Sequence, residues 1–176
     1  FRRVLFRSEF EAFGIPYIVL YTLTPYDEWL EPGIRDKDGI VLSFRRLADR
    51  IGPDRMAWRY DPIILTPGLP EDYHLAAFER IAGRLAGSAG RCITSFAAPY
   101  RRVRRRLESL GWSEPPPEAR RRLLDRLAAA AAARGIPLQT CADDTPAAGQ
   151  PGACIDCGLA SRIAGRDLGA GRDPHQ

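Results

Sequence analysis

The chain has 176 residues, 45% of them apolar, enough for one ordinary domain with a real core. No apolar run reaches the roughly 20 residues that span a bilayer, and no basic, apolar and small-residue leader pattern is present, so a soluble, cytoplasmic protein without membrane partners is expected. The formal charge of +4 comes from arginine, since Lys37 is the sole lysine; with abundant Ala, Gly and Pro this reads as GC-rich coding bias rather than a nucleic-acid footprint.

Residues 1–8, Phe-Arg-Arg-Val-Leu-Phe-Arg-Ser, match the translation of a common short-read sequencing adapter and are expected to be non-native. The natural domain is expected over 9–164, with a tail over 165–176. Phe10 and Phe13 lie on what reads as the last turn of a helix closed by Gly14. A strand at 16–23 follows, so poor in polar alternation that both of its faces are expected to be covered. After a loop with Trp29, Pro32 and Gly33, Asp36 or Asp38 caps a helix with Ile40, Val41, Phe44, Leu47, Ala48 and Ile51 at helical spacing. Gly52 and Pro53 stop it.

The next stretch, 56–65, reads Met-Ala-Trp-Arg-Tyr-Asp-Pro-Ile-Ile-Leu. Side chains alternate along a strand, so Arg59 and Asp61 share one face while Trp58 and Tyr60 share the other. A helix follows with Leu75, Phe78, Ile81, Ala82 and Leu85 inward, then a third strand at 92–96. Pro99 and Tyr100 start an arginine-rich helix with Val103, Leu107 and Leu110 inward. Pro115, Pro116 and Pro117 lead into an Ala/Leu helix with Leu123, Leu124, Leu127 and Ala131 as its stripe. Gly135-Ile136-Pro137 repeats the earlier Gly14-Ile15-Pro16 joint before a fourth strand at 138–142. Loop, a short helix over 155–164 and a charged end complete the chain.

Strand starts near 16, 56, 91 and 137 have the spacing of βα units in a parallel sheet. Eight such units close a barrel of about 250 residues; four predict an α/β fold that is a partial, TIM-like (βα) barrel or an open sheet.

Ligands in such folds sit beyond the carboxyl ends of the strands. There the sequence places Thr22, Thr24 and Tyr26, then Arg59 and Asp61, then Ser95 and Tyr100, and finally Thr140, Cys141, Asp143 and Asp144. Arg59 and Asp61 are either an ion pair tying layers together or a site in which Arg59 grips a carboxylate or phosphate and Asp61 orients it. His74, in the first turn of the following helix, is a capping or hydrogen-bonded group or a base; a metal-free or zinc-using barrel enzyme would use Asp61 and His74 in acid/base roles. The four cysteines, Cys92, Cys141, Cys154 and Cys157, are too few and irregular for a disulfide framework, so reduced thiols are expected. Cys154 and Cys157 have a zinc or redox spacing, but a structural zinc needs four ligands. Arg101, Arg102, Arg104, Arg105 and Arg106, with Arg120, Arg121 and Arg122, could follow a phosphate backbone, although no stacking aromatics interleave them. Dinucleotide, P-loop and nucleophile-elbow motifs are missing.

The phrases Tyr21-Thr22-Leu23-Thr24-Pro25-Tyr26, Glu31-Pro32, Ile51-Gly52-Pro53-Asp54-Arg55, Trp58-Arg59-Tyr60-Asp61-Pro62-Ile63, Asp72-Tyr73-His74, Ser95-Phe96 with Tyr100-Arg101, Thr140-Cys141-Ala142 and Cys154-Ile155-Asp156, in this order, resemble the bacterial family catalogued as domain of unknown function 1848. The resemblance implies a (βα) barrel related to radical S-adenosylmethionine enzymes. It implies a 4Fe–4S cluster held by a carboxyl-terminal Cys-x3-Cys-x2-Cys motif, and S-adenosylmethionine as cofactor. None of the four cysteines matches that motif, so these residues are expected to be a fragment of about half a barrel, without bound cofactor. Thr22, Thr24, Tyr26, Arg59, Asp61, His74, Ser95, Tyr100 and Cys141 are the expected cavity residues. The small-molecule ligand is not specified, and a basic nucleic-acid or partner-binding α/β module is the alternative.

Overall fold

Apolar runs of strand length alternate with stretches of helical period, and in the computed structural model they form a layered α/β sheet. The structure describes residues 12–34, 36–101, 103–141, 150–151 and 157–167. The elements are β1 (Val19–Thr22), α1 (Lys37–Ile51), β2 (Met56–Ile63), α2 (Glu71–Leu85), β3 (Arg91–Phe96), α3 (Arg104–Ser109), α4 (Pro117–Ala132), β4 (Leu138–Thr140), β5 (Gln150–Pro151) and α5 (Cys157–Ala164). A 3-10 turn, Pro53–Arg55, leads into β2. The chain forms two compact units, Leu20–Gly152 and a second made of Phe1–Val19 with Ala153–Gln176. In the second, α5 buries Leu159; the adapter-like residues 1–8 lie outside the described residues.

The sheet order is β1-β2-β3-β4-β5, with β2 through β5 pairing in parallel. Among the described residues β1 and β5 are its edges, so the partial-barrel expectation reduces to a parallel sheet alternating with helices. Sequence reading missed β5, a two-residue strand that pairs Gln139 with Gln150 and Thr140 with Pro151. So short a strand carries no alternation to detect.

Local signals account for the helices. The Asp36 carboxylate accepts the Gly39 N–H at 2.7 Å, satisfying one orphan donor at the start of α1. Proline opens α4, where its missing N–H costs nothing. Gly14 and Gly135 both take positive φ, 64° and 68°, the conformation that lets the chain reverse at each Gly-Ile-Pro joint. Gly90 has a different reason: a Cβ there would lie 2.5 Å from the Pro53 carbonyl oxygen.

Alternation along β2 organises the core. Trp58 and Tyr60 are 0% and 1% exposed and meet Phe78 of α2, with ring centroids 4.7 and 5.1 Å away. The Trp58 indole N–H donates to the Leu23 carbonyl at 2.8 Å, tying β2 to the end of β1. Tyr21 of β1 packs on Phe44 of α1, and α4 buries Leu123, Leu124, Leu127 and Ala131. Register places Thr94 and Thr140 on this helix-covered side, both buried, with the Thr94 hydroxyl donating to the Tyr60 carbonyl at 2.6 Å.

Two expectations change. β1 is covered on one face only: Leu20 is 50% exposed and Thr22 is also exposed, so its apolar run reflects β-propensity rather than two-sided burial. On α2 the inward stripe is His74, Ala77, Phe78, Ile81, Ala82 and Leu85, while Leu75 is half-buried. His74 takes the core position because both ring nitrogens find partners there. Nε2 lies 3.0 Å from the Ile64 carbonyl, which can only accept, so Nε2 carries the proton and Nδ1 accepts from the Tyr60 hydroxyl at 3.0 Å. Burial lowers the His74 pKa, opposed more weakly by the Ile64 hydrogen bond, and the same burial raises the Tyr60 hydroxyl far above its usual range.

A histidine whose folded pKa is depressed binds fewer protons in the folded than in the unfolded state. Its contribution is therefore complete above the unfolded value of about 6.5 and is lost as pH falls from there towards the lower folded value. Urea unfolding across this window should show stability declining on acidification, and His74→Gln should flatten that slope; an unchanged slope would show that His74 does not titrate this way.

Candidate functional site

Opposite the helices, β2 presents the other half of its alternation. Arg59 and Asp61 form an ion pair through Nη2 and Oδ2, and the Ser95 hydroxyl of β3 donates to Asp61 Oδ1. One carboxylate thus joins a cation on its own strand to a hydroxyl on the next, with both oxygens engaged. The Asp61 side chain is 12% exposed and the Arg59 side chain 39%. The carboxylate lies beneath and the guanidinium faces outward, with N–H groups to spare beyond the one that Asp61 takes. The register between β2 and β3 shifts between Tyr60 and Ile63, the segment holding the cis Asp61–Pro62 peptide, so Asp61 stands where regular pairing is interrupted.

The loops beyond the strands brace this rim. The Tyr26 hydroxyl donates to the Pro62 carbonyl at 2.5 Å and accepts the Ile64 N–H at 2.9 Å, so it substitutes for a missing backbone partner. Tyr26, Ile64, Ala97 and Leu107 form a small apolar cluster with Leu30, Leu69, Leu110 and Trp112 packed against it. Burial raises the Tyr26 hydroxyl far above its ordinary range, so it stays protonated as a brace. Tyr73 adds a bond from its hydroxyl to the Pro25 carbonyl at 3.2 Å.

A second polar group stands at the end of β1. The Thr24 hydroxyl, 2% exposed, donates to Glu31 Oε1 at 2.6 Å, and Lys37 forms an ion pair with Glu31 Oε2. The sequence pointed to Thr24 and to the singularity of Lys37, but Glu31 carried no signal beyond its place in the Glu31-Pro32 phrase. A loop that folds back has no periodicity to read.

The remaining expected cavity residues divide. Thr22 is exposed on the sheet side that carries Arg59. Cys141 is half-buried one position beyond β4, its N–H bonded to the Thr94 carbonyl at 2.9 Å. Tyr100 is 74% exposed on the loop before α3. His74 lies within the core on the helix side of the sheet, its ring nitrogens bonded to the Tyr60 hydroxyl and the Ile64 carbonyl, while Asp61 is on the opposite side. Asp143, Asp144, Cys154 and the Cys157 side chain lie outside the described residues. Among the described residues no group of three or more His, Cys, Asp or Glu side chains could hold a metal, and no helix is long and apolar enough to cross a membrane.

The second part of the arginine run, Arg120, Arg121 and Arg122, meets intramolecular acids, as does neighbouring Arg126. Arg122 donates to Glu71 at 2.5 and 3.1 Å, Arg126 to Asp72 at 2.6 Å and Arg120 to Glu114 at 3.0 Å, while Arg106 reaches the Trp29 carbonyl and stacks 5.4 Å from its ring. An open cleft of about 560 Å³ lies between the loop after β2 and the segment before α4, lined by Leu65, Pro67, Pro70, Pro115 and Pro116 together with Arg126. Its acidic members, Glu71 and Asp72, are the partners of those arginines, so it presents little uncommitted charge.

No curated protein and no solved structure matches the chain. A family model described as "Domain of unknown function (DUF1848)" matches residues 4–176. Essentially the whole chain is covered, including the strand ends that build the rim, and the protein belongs to this family.

Proposed function

We propose that the sheet face opposite Trp58 and Tyr60 holds an anionic small molecule, with Arg59 as the contact residue and Asp61 and Ser95 as the groups that orient it. The observation that carries this reading is the bridge across two strands at their carboxyl ends. A surface ion pair alone is worth about 0–1 kcal/mol; a guanidinium held by an almost buried carboxylate, itself held by a hydroxyl, is pre-positioned to give two parallel N–H groups to a carboxylate or phosphate. Asp61 has both oxygens committed to donors, which makes it a positioning residue rather than a general base.

The family resemblance adds a class of chemistry: an enzyme of the radical S-adenosylmethionine kind, with a 4Fe–4S cluster supplying one-electron chemistry. The described residues do not fit that cluster. Cys92 is fully buried on the helix-covered side, where burial raises its thiol pKa, Cys141 is half-buried just beyond β4, and among the described residues no three cysteines come together. No step is therefore assigned to the cluster, and the part proposed for this chain is to bind and orient the substrate or cofactor.

Arg59→Lys keeps the charge but loses the planar fork, so it should weaken binding of a monocarboxylate probe such as butyrate about tenfold while the urea midpoint stays nearly unchanged. Parent-like affinity, or a variant that only loses stability, would return the pair to a structural role. The redox reading has its own test, anaerobic reconstitution of the natural gene product with iron and sulfide. Cluster absorbance with cleavage of S-adenosylmethionine would support it, and neither appearing would remove it.

A further inference from the structure

The two polar groups at the rim share one design. In each, a carboxylate accepts from a hydroxyl through one oxygen and from a cation through the other: Ser95, Asp61 and Arg59 in the first, Thr24, Glu31 and Lys37 in the second. In each, the carboxylate is the more buried partner. Asp61 and Glu31 side chains are 12% and 19% exposed, against 39% and 27% for Arg59 and Lys37. Each pair is therefore a dipole whose positive end faces outward, with ammonium or guanidinium hydrogens left over.

The backbone sets the two side by side. The Leu23 N–H donates to the Arg59 carbonyl at 3.1 Å, and three residues on the Tyr26 hydroxyl meets Pro62 and Ile64. Thr24 therefore stands level with the carboxyl end of β2, where Asp61 lies. From this juxtaposition we infer that Lys37 is a second ligand-contacting cation of the same rim, and that the ligand carries two anionic groups, one for Arg59 and one for Lys37. This rests on the anion-holding reading given above and extends it to a ligand class. It also gives a role to the sole lysine in an otherwise arginine-only chain. An ammonium is a compact donor that adapts to either a carboxylate or a phosphate oxygen.

The test compares butyrate with malonate, succinate and glutarate by calorimetry on the parent protein, Lys37→Met, Lys37→Arg and Arg59→Lys, with thermal unfolding as a check on folding. At least one dicarboxylate should bind about tenfold or more tightly than butyrate. Lys37→Met should abolish that advantage and leave butyrate affinity unchanged, Lys37→Arg should keep most of it, and Arg59→Lys should weaken both ligand types. Equal affinities for one and two carboxylates, or an advantage that survives Lys37→Met, overturns the second-cation assignment alone. Failure of every probe to bind the parent overturns the anion-holding reading and this one with it.

Discussion

The grip of the Asp61 carboxylate by Arg59 and Ser95 is the interaction on which the functional account depends, and strand geometry alone makes it possible. Because β2 alternates, the same eight residues that give Trp58 and Tyr60 to the core give Arg59 and Asp61 to the opposite face. A one-residue slip would bury the ion pair beneath α2 and expose an indole and a phenol. Packing of Trp58 and Tyr60 against Phe78, and the indole bond to Leu23, therefore fix the register that the polar face needs. Core and site are two readings of one strand.

Around that strand the hydroxyls divide their labour. Tyr60 and His74 satisfy each other within the core, and Tyr26 completes the backbone where β2 pairing breaks. These buried groups are hydrogen-bonded throughout, as burial of polar atoms requires. The rim groups differ because their cations keep donors in reserve on an accessible side. Fully committed polar atoms stabilise a fold; partly committed, pre-positioned ones are what a ligand can use.

Much of this was legible in the sequence where a period operates. The stripe Leu123, Leu124, Leu127 and Ala131 is buried as its spacing required, Asp36 caps α1, and the parity of Arg59 and Asp61 against Trp58 and Tyr60 follows from alternation alone. Illegible features had no period or went against residue type. His74 occupies a helix position that the pattern reserved for an apolar side chain, a substitution that works only because Tyr60 and the Ile64 carbonyl lie within reach. The exposed face of β1 was hidden by its own β-branched composition. The link from Thr24 through Glu31 to Lys37 runs through a loop whose course no spacing encodes.

A crystal structure of the natural gene product soaked with malonate tests the central claim most directly. The account predicts the anion bonded to the Arg59 guanidinium on the sheet side opposite Trp58, with Asp61 still held between Arg59 and Ser95. An Arg59 sheathed by apolar side chains with no anion beside it, or an Asp61 turned away from both partners, would contradict it.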